Sequence, residues 1–292
     1  MNLDVDTGIL RLGLPKGRMQ AEIFTLLDAA GLKVRAGLRE YRPTIVGGAY
    51  NVKILKPQNI VEMLAAGSRD VGFAGADWVA ELDADVVEVL DTGFDPVELV
   101  AAAPSALMHR GPLRQQQGLV VASEYPRLTA DWLARESINA RIVHSYGATE
   151  VFPPDDADLI VDNSATGATL LANGLIVVDL LMRSSTRLYA HPRSLDDASR
   201  RNGIESLTML LASVLEARQR VMFEVNVSPD RLDAVCATLP CMREPTIAAL
   251  HDAAGFAIKA AVPRADLARL VLLVKAAGGS DIVITSLTHI VP

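Results

Sequence analysis

Short runs of branched apolar residues alternate with stretches of helical spacing through most of this chain, and that alternation restricts its fold more than any other feature. Residues 9–14, 51–55, 71–74, 86–90 and 97–103 read as strands. Between the first two, Pro15-Lys16-Gly17-Arg18 makes a turn, and residues 19–30 carry helical spacing at Ile23, Leu26 and Leu27, with Gly31 as the terminating glycine. Pro57 opens the next helix at a favoured first position. A second unit follows, with strands at 119–122, 141–144 and 159–161 and helices at 126–135 and 169–172. The strand-like segments 177–182 and 186–190 return to the first unit, so two α/β lobes joined by crossing strands enclose a cleft. A helix over 202–220, apolar on one face at Ile204, Leu207, Leu210, Leu211, Val214 and Leu215, leads to a change of texture. Strand 222–227, helix 229–238, strands 246–250 and 256–262, helix 264–277 and strand 281–287 give the βαββαβ order of a ferredoxin-like module. The expected class is therefore α/β, with lobe I at 1–100 and 182–217, lobe II at 101–181, and a C-terminal ferredoxin-like domain at 218–292.

Within lobe II, residues 158–170 (Asp-Leu-Ile-Val-Asp-Asn-Ser-Ala-Thr-Gly-Ala-Thr-Leu) carry the strongest chemical signal. A buried parallel strand ends in Asp162. Small and hydroxylated residues follow around one glycine, and then a helix starts. Free N–H groups, hydroxyls and the positive end of the helix dipole suit a phosphate there, and the acid suits ribose hydroxyls or a metal. The loop is neither a Walker loop nor a dinucleotide fingerprint. Its plain alternative is a strand-to-helix turn capped by Thr166 or Thr169.

Lys16 and Arg18 flank Gly17 at a second strand-to-helix turn. Two cations there suit a diphosphate, Arg18 as a bidentate fork and Lys16 as a point charge; ordinary solvent-facing charges are the alternative. Gly75-Ala76-Asp77-Trp78 either contacts a base or ribose or is an N-cap with a packed indole. Glu150, in the small loop 146–150, is either structural or faces the cleft. None of the five histidines stands in a recognisable nucleophilic arrangement. The acids Asp155, Asp156 and Asp158 read as a solvated loop beside Pro153-Pro154.

The 292 residues fit about two domains, and a 50% hydrophobic composition supplies their cores. A net charge of −7 disfavours nucleic-acid or anionic-membrane partners. The acidic start has no apolar signal segment, no run reaches membrane-spanning length, and Cys236 and Cys241 lack metal-site partners. A cytoplasmic location is the expectation.

Together these segments resemble the ATP phosphoribosyltransferase family, in its long form with a regulatory C-terminal domain. The similarity lies in Leu12-Gly13-Leu14-Pro15-Lys16-Gly17-Arg18, in Leu55-Lys56-Pro57 with Ile60, and in the stretch 70–77. It continues in Ala122-Ser123-Glu124-Tyr125-Pro126 and most specifically in 158–175; Glu244-Pro245-Thr246-Ile247 and Ala261-Val262-Pro263 resemble landmarks of the regulatory domain. The resemblance implies periplasmic-binding-protein-like lobes, a homohexamer, Mg2+ dependence, ATP and phosphoribosyl diphosphate as substrates, and inhibition by histidine. By position it implies that Asp162, Ala165, Thr166, Gly167, Ala168 and Thr169 hold the phosphoribosyl group, with Lys16, Arg18 and Asp162 catalytic. Lys56, Gly75 and Asp77 would lie towards ATP, and Asn226 and Thr246 towards histidine; which residues would ligate the Mg2+ is left unassigned. The chain departs from the family pattern at Asn163 and Ser164, where apolar residues are common, at Thr149, where valine is frequent, and at Asp95, where glycine is frequent. A phosphoribosyltransferase with another acceptor base and a non-catalytic two-lobed sensor are the rival readings.

Overall fold

The computed structural model describes residues 8–35, 41–242 and 244–291; the acidic start, Met1 to Asp6, lies outside the described residues. The chain forms two compact units that divide between Ser206 and Leu207.

In the first unit, β1 (Leu10–Pro15), α1 (Gln20–Ala29), the short strands β2 (Val34–Arg35) and β3 (Thr44–Ile45), and β4 (Tyr50–Leu55) are followed by α2 (Pro57–Ala65), β5 (Val71–Gly75) and α3 (Ala76–Glu81). The long strand β6 (Val87–Pro104) and α4 (Ser105–Met108) lead to β7 (Leu119–Ser123), α5 (Pro126–Arg135), β8 (Ala140–His144), β9 (Leu159–Ser164) and α6 (Ala168–Ala172). A second long strand, β10 (Leu175–Ala190), runs back to α7 (Pro192–Asp196) and to α8 (Ala198–Gln219), within which the division between the units falls. Eight strands make one sheet in the order β4-β1-β5-β10-β6-β9-β7-β8.

The register explains the cleft. Strands β4, β1 and β5 are parallel, as are β9, β7 and β8, while β10 and β6 join the two sets by antiparallel pairing. Gly75, at the carboxyl end of β5, pairs with Thr186, which pairs with Phe94; Ser164, at the carboxyl end of β9, pairs with Glu98. The two parallel sets therefore run head to head and aim their carboxyl ends at the same short stretch of β6, where open α/β sheets bind ligands. All five residues of β5 are buried, as a strand covered by helices on both faces requires. Leu12, Leu14, Ile23, Leu26, Ile60 and Phe73 fill one half of the core, and Leu99, Val121, Tyr125, Trp132, Leu159 and Val161 the other.

Four expected strands merge into two. The segments 86–90 and 97–103 are one strand, β6, and 177–182 and 186–190 are one strand, β10. Their polar middles read as turns in the sequence but are the crossing point: Thr92 Oγ1 donates to the Thr186 carbonyl, and Ser185 Oγ donates to Asp91 at 2.8 Å. The expected lobe boundaries near 100 and 181 accordingly fall inside these shared strands. Helix α8 starts earlier than expected because the Asp197 carboxylate accepts the Arg200 N–H at 3.0 Å, an acid serving its first turn.

The second unit contains β11 (Arg220–Val227), α9 (Leu232–Cys236), β12 (Thr246–Ala249), β13 (Phe256–Pro263), α10 (Leu267–Ala276) and β14 (Ser280–Ser286). Its antiparallel order, β12-β13-β11-β14, is that of a ferredoxin-like sheet. Along β11, Val221, Phe223, Val225 and Val227 are buried with Val235, Leu270 and Val274, while Met222, Glu224 and Asn226 lie on the opposite face.

Candidate active site

Loop 162–169 begins within β9, because Asp162, Asn163 and Ser164 still pair with Val100, Leu99 and Glu98. Gly167 then adopts φ +73°, a left-handed turn that L side chains resist, and precedes α6. The Gly167 N–H donates to Ser164 Oγ at 3.0 Å, and the Ala168 N–H reaches Thr166 Oγ1 at 3.4 Å. The loop is thus closed by its own hydroxyls, and Gly167 takes the N-cap position in place of the threonines considered above. Arg18, Glu150 and residues 162–170 line one cavity of about 270 Å3. Arg18 and the loop, which the sequence paired, come together here, and Glu150 faces the same space.

Asp162 is the electrostatic centre of this cavity. Burial pushes its carboxyl up to about 6, the neighbouring acids Glu124 and Glu150 push in the same direction, and the Asn163 N–H and the Thr149 hydroxyl pull against them. Such a group, held as a carboxylate against its surroundings, attracts a developing positive charge or a cation.

The departures from the family pattern are wired into hydrogen bonds. Asn163 Nδ2 donates to the Tyr125 hydroxyl at 2.9 Å, Ser164 closes the loop, and Thr149 bonds Ser145 Oγ at 2.8 Å. Asp95, at φ +45°, places Oδ1 at 3.2 Å from Arg18 Nε. The positive φ gives the physical reason that a glycine suits this position, and the carboxylate anchors the arginine of the cavity. Lys16 points elsewhere: its ammonium donates to the Tyr41 hydroxyl at 2.7 Å and lies 4.6 Å from that ring's centre. Lys16 therefore does not line the loop cavity.

Asp77 occupies the junction of the lobes. Its Oδ1 accepts from Ser184 Oγ at 2.7 Å and its Oδ2 from the Tyr125 hydroxyl at 2.7 Å. Gly75 permits this, since a Cβ there would lie 2.1 Å from Asp77 Oδ1. With both oxygens engaged and the residue 4% exposed, Asp77 links β10, the second lobe and loop residue Asn163 through Tyr125. Burial and Asp77 push the Tyr125 phenol far above its ordinary value, so it is a permanent donor. Trp78 stacks on Tyr125 at 4.6 Å. Nearby, Glu81 accepts the N–H groups of Arg127 and Leu128, both at 2.9 Å, and so caps α5 from the other lobe. Arg127 returns the contact by donating to the carbonyls of Ala80 and Glu81.

Sequence reasoning missed Glu81 and Tyr125. The signal was present in Tyr125-Pro126, a helix start with no Ser, Thr, Asp or Asn to cap it, which called for a cap from elsewhere.

Lys56, Trp78, Glu124, His144 and Tyr146 line an adjacent cavity of about 400 Å3. Burial raises the Glu124 carboxyl there, and His144 and Lys56 oppose the rise. Lys56 is thus separated from the buried pair Gly75 and Asp77, although all three lie at the same junction. In the second unit, Thr246 lines a cavity of about 300 Å3 with Met222, Glu244 and Lys259. Asn226 does not line it; its amide donates to Asp281 Oδ2 at 3.2 Å. Among the described residues, no group of three or more His, Cys, Asp or Glu is arranged to hold a metal ion, and no helix is long and apolar enough to cross a membrane.

Comparison with known proteins gives a consistent result. The family described as ATP phosphoribosyltransferase matches residues 56–213, and the HisG C-terminal domain matches residues 217–289. An ATP phosphoribosyltransferase of Pelotomaculum thermopropionicum is 35% identical over 288 residues, covering 97% of this chain and 99% of the relative. One of Desulforudis audaxviator is likewise 35% identical over 288 residues with the same coverage. The solved structure of the ATP phosphoribosyl transferase (HisG:HisZ) complex from Thermotoga maritima aligns with a TM-score of 0.61 at 24% identity, covering 70% of this chain and 99% of that chain, which is a likeness of fold.

Proposed function

The chain belongs to the ATP phosphoribosyltransferase family, and from that premise we propose how its own residues carry the family's reaction. The enzyme forms a bond between N1 of the adenine of ATP and the anomeric carbon of phosphoribosyl diphosphate, breaks that carbon's bond to the diphosphate, and so takes the first step of histidine biosynthesis. The observation that carries the residue assignment is the shared cavity of Arg18 and residues 162–170.

In this reading the backbone and hydroxyls of Ala165, Thr166, Gly167, Ala168 and Thr169 bind the 5′-phosphate. Arg18, aimed by Asp95, meets the departing diphosphate, and Lys16 supports the same end of the site as a more distant charge. Asp162 meets the ribose, where positive charge grows as the bond to diphosphate lengthens. The acceptor nitrogen is neutral and nucleophilic, so positioning does the remaining work and no general base is required. ATP enters the adjoining cavity, with Lys56 towards its phosphates and the aromatic wall of Trp78 towards its base. Gly75 and Asp77 shape that wall from behind.

Asp162 and Glu150, two hard oxygen donors that line the loop cavity, would hold Mg2+ there. When bound, Mg2+ neutralises charge on the leaving diphosphate.

The C-terminal unit is proposed as the regulatory domain from residue 218, with the catalytic lobes at 1–100 with 182–217 and at 101–181. Histidine binds it: Glu244 and Lys259 beside Thr246 offer one charge of each sign to an amino acid, with Asn226 on the same sheet. A cytoplasmic homohexamer completes the proposal.

Calorimetric titration of phosphoribosyl diphosphate into wild type and Arg18→Gln protein tests it. Loss of a charge-assisted fork weakens binding by roughly ten-fold or more. Equal affinity would remove Arg18 from the site.

A further inference from the structure

A second cationic cavity lies at the far end of lobe I from the active site. Arg11, Gly67, Asp85, His191, Arg193 and Arg200 are among its walls, and its volume is about 710 Å3. Arg11 is the second residue of β1, so β1 alone separates the cavity from the turn at Lys16 by about 17 Å at 3.3 Å per residue.

Behind two of these arginines lies Asp70, wholly buried and saturated with donors. The Asp70 carboxylate accepts the Arg11 N–H at 2.8 Å, Arg11 Nε at 2.9 Å and Nη2 at 2.6 Å, Ser194 Oγ at 2.9 Å and Arg200 Nη1 at 3.3 Å. Those bonds hold its carboxyl below the ordinary aspartate range. One carboxylate thus fixes two guanidinium groups in place, while their side chains stay 30% and 42% exposed. Arg193 adds a third guanidinium, and among the described residues Asp85 is the one acid in the wall, so with Asp70 behind them three arginines face two carboxylates. His191 contributes a polar atom that nothing satisfies: its Nδ1 is buried and has no hydrogen-bond partner among the described residues.

Preorganised, part-exposed guanidinium forks lining a roomy cavity match a multiply charged oxyanion. We propose that this cavity binds a phosphate group, carried by inorganic phosphate or diphosphate or by a nucleotide. Arg11, Arg193 and Arg200 take its oxygens, with the His191 ring as part of the wall. None of these residues belongs to the transferase site, so the proposal stands or falls apart from that assignment.

Arginine labelling with phenylglyoxal, read peptide by peptide by mass spectrometry on the full-length protein, tests it. Inorganic phosphate, diphosphate and ATP are each added over a concentration series, with the exposed Arg231 of the C-terminal unit as the internal reference. The expected result is slower labelling of Arg193 and Arg200 at millimolar anion with Arg231 unchanged. Substituting Arg200→Gln should raise the concentration that protects Arg193 by roughly ten-fold or more. Equal potency of diphosphate and ATP would assign the site to the phosphate group itself, and greater potency of ATP to a nucleotide; both uphold it. Labelling rates unchanged by all three anions, or Arg193 protection untouched by Arg200→Gln in protein that melts like wild type, would overturn it.

Discussion

Replacing Asp162 by asparagine should make the ligand-free protein more stable and the enzyme much slower. Between its ordinary value of 3.8 and about 6, the native Asp162 keeps a proton that the unfolded chain has already released. Stability therefore falls as pH rises through that window and stays lower above it. At about 1.4 kcal/mol per pH unit, the cost at neutral pH is about 3 kcal/mol. Asparagine carries no charge to desolvate, keeps an oxygen for the Asn163 N–H, and offers its amide to Glu150 or Glu124. For a unit of this size, that cost corresponds to roughly 6–12 °C in melting temperature. The assay is thermal unfolding of wild type and Asp162→Asn at several pH values, without ligand. At about pH 8 the variant should melt higher, and the gap should close as pH approaches about 4. Turnover of the same variant should fall by roughly 10²–10³, the magnitude typical of losing a preorganised electrostatic partner. A variant that melts at or below wild type at high pH, or a gap that ignores pH, would refute the claim that Asp162 is held charged against its surroundings.

Other substitutions probe the junction and the regulatory unit. Tyr125→Phe leaves Asp77 Oδ2 and Asn163 Nδ2 without their shared partner; chemical denaturation should show a loss of about 2–4 kcal/mol. A loss below about 1 kcal/mol would mean that water replaces the phenol. Glu81→Ala strips the cap from α5 and should cost about 2 kcal/mol in the same assay. Unchanged stability there would show that the lobes are not tied through this carboxylate. Glu244→Gln should weaken histidine inhibition by roughly ten-fold while leaving uninhibited turnover intact; inhibition curves that superimpose on wild type would dismiss the Glu244 cavity as the effector site.

The architecture was legible because its cause is local. Apolar runs and helical spacing recur at short range, and Pro126–Arg135 forms the helix that the spacing predicts, with the same bounds. The crossing strands were not legible. Asp91 to Asp95 and Arg183 to Ser185 carry the composition of turns, and only the pairing of β6 with β10 across the cleft makes them strand. At the site, the small-residue loop and Arg18 could be singled out from residue type, and the fold brings them to one cavity; that they hold phosphate is what we propose. Asp77 could not be placed: its fate depends on Tyr125 and Ser184, 48 and 107 residues away. The contact of Lys16 was not legible for a similar reason, because Tyr41, which accepts from its ammonium, lies 25 residues away.

The most direct test is a purified-protein assay with ATP, phosphoribosyl diphosphate and Mg2+, following the ultraviolet absorbance of N1-ribosylated adenine in wild type and Asp162→Asn. Product from wild type, dependent on Mg2+ and suppressed by histidine, with turnover sharply lower in the variant, is the expected result. Equal product from both proteins would contradict the central role given to the 162–169 loop. No product from wild type that still binds phosphoribosyl diphosphate would contradict ATP as the acceptor in this chain.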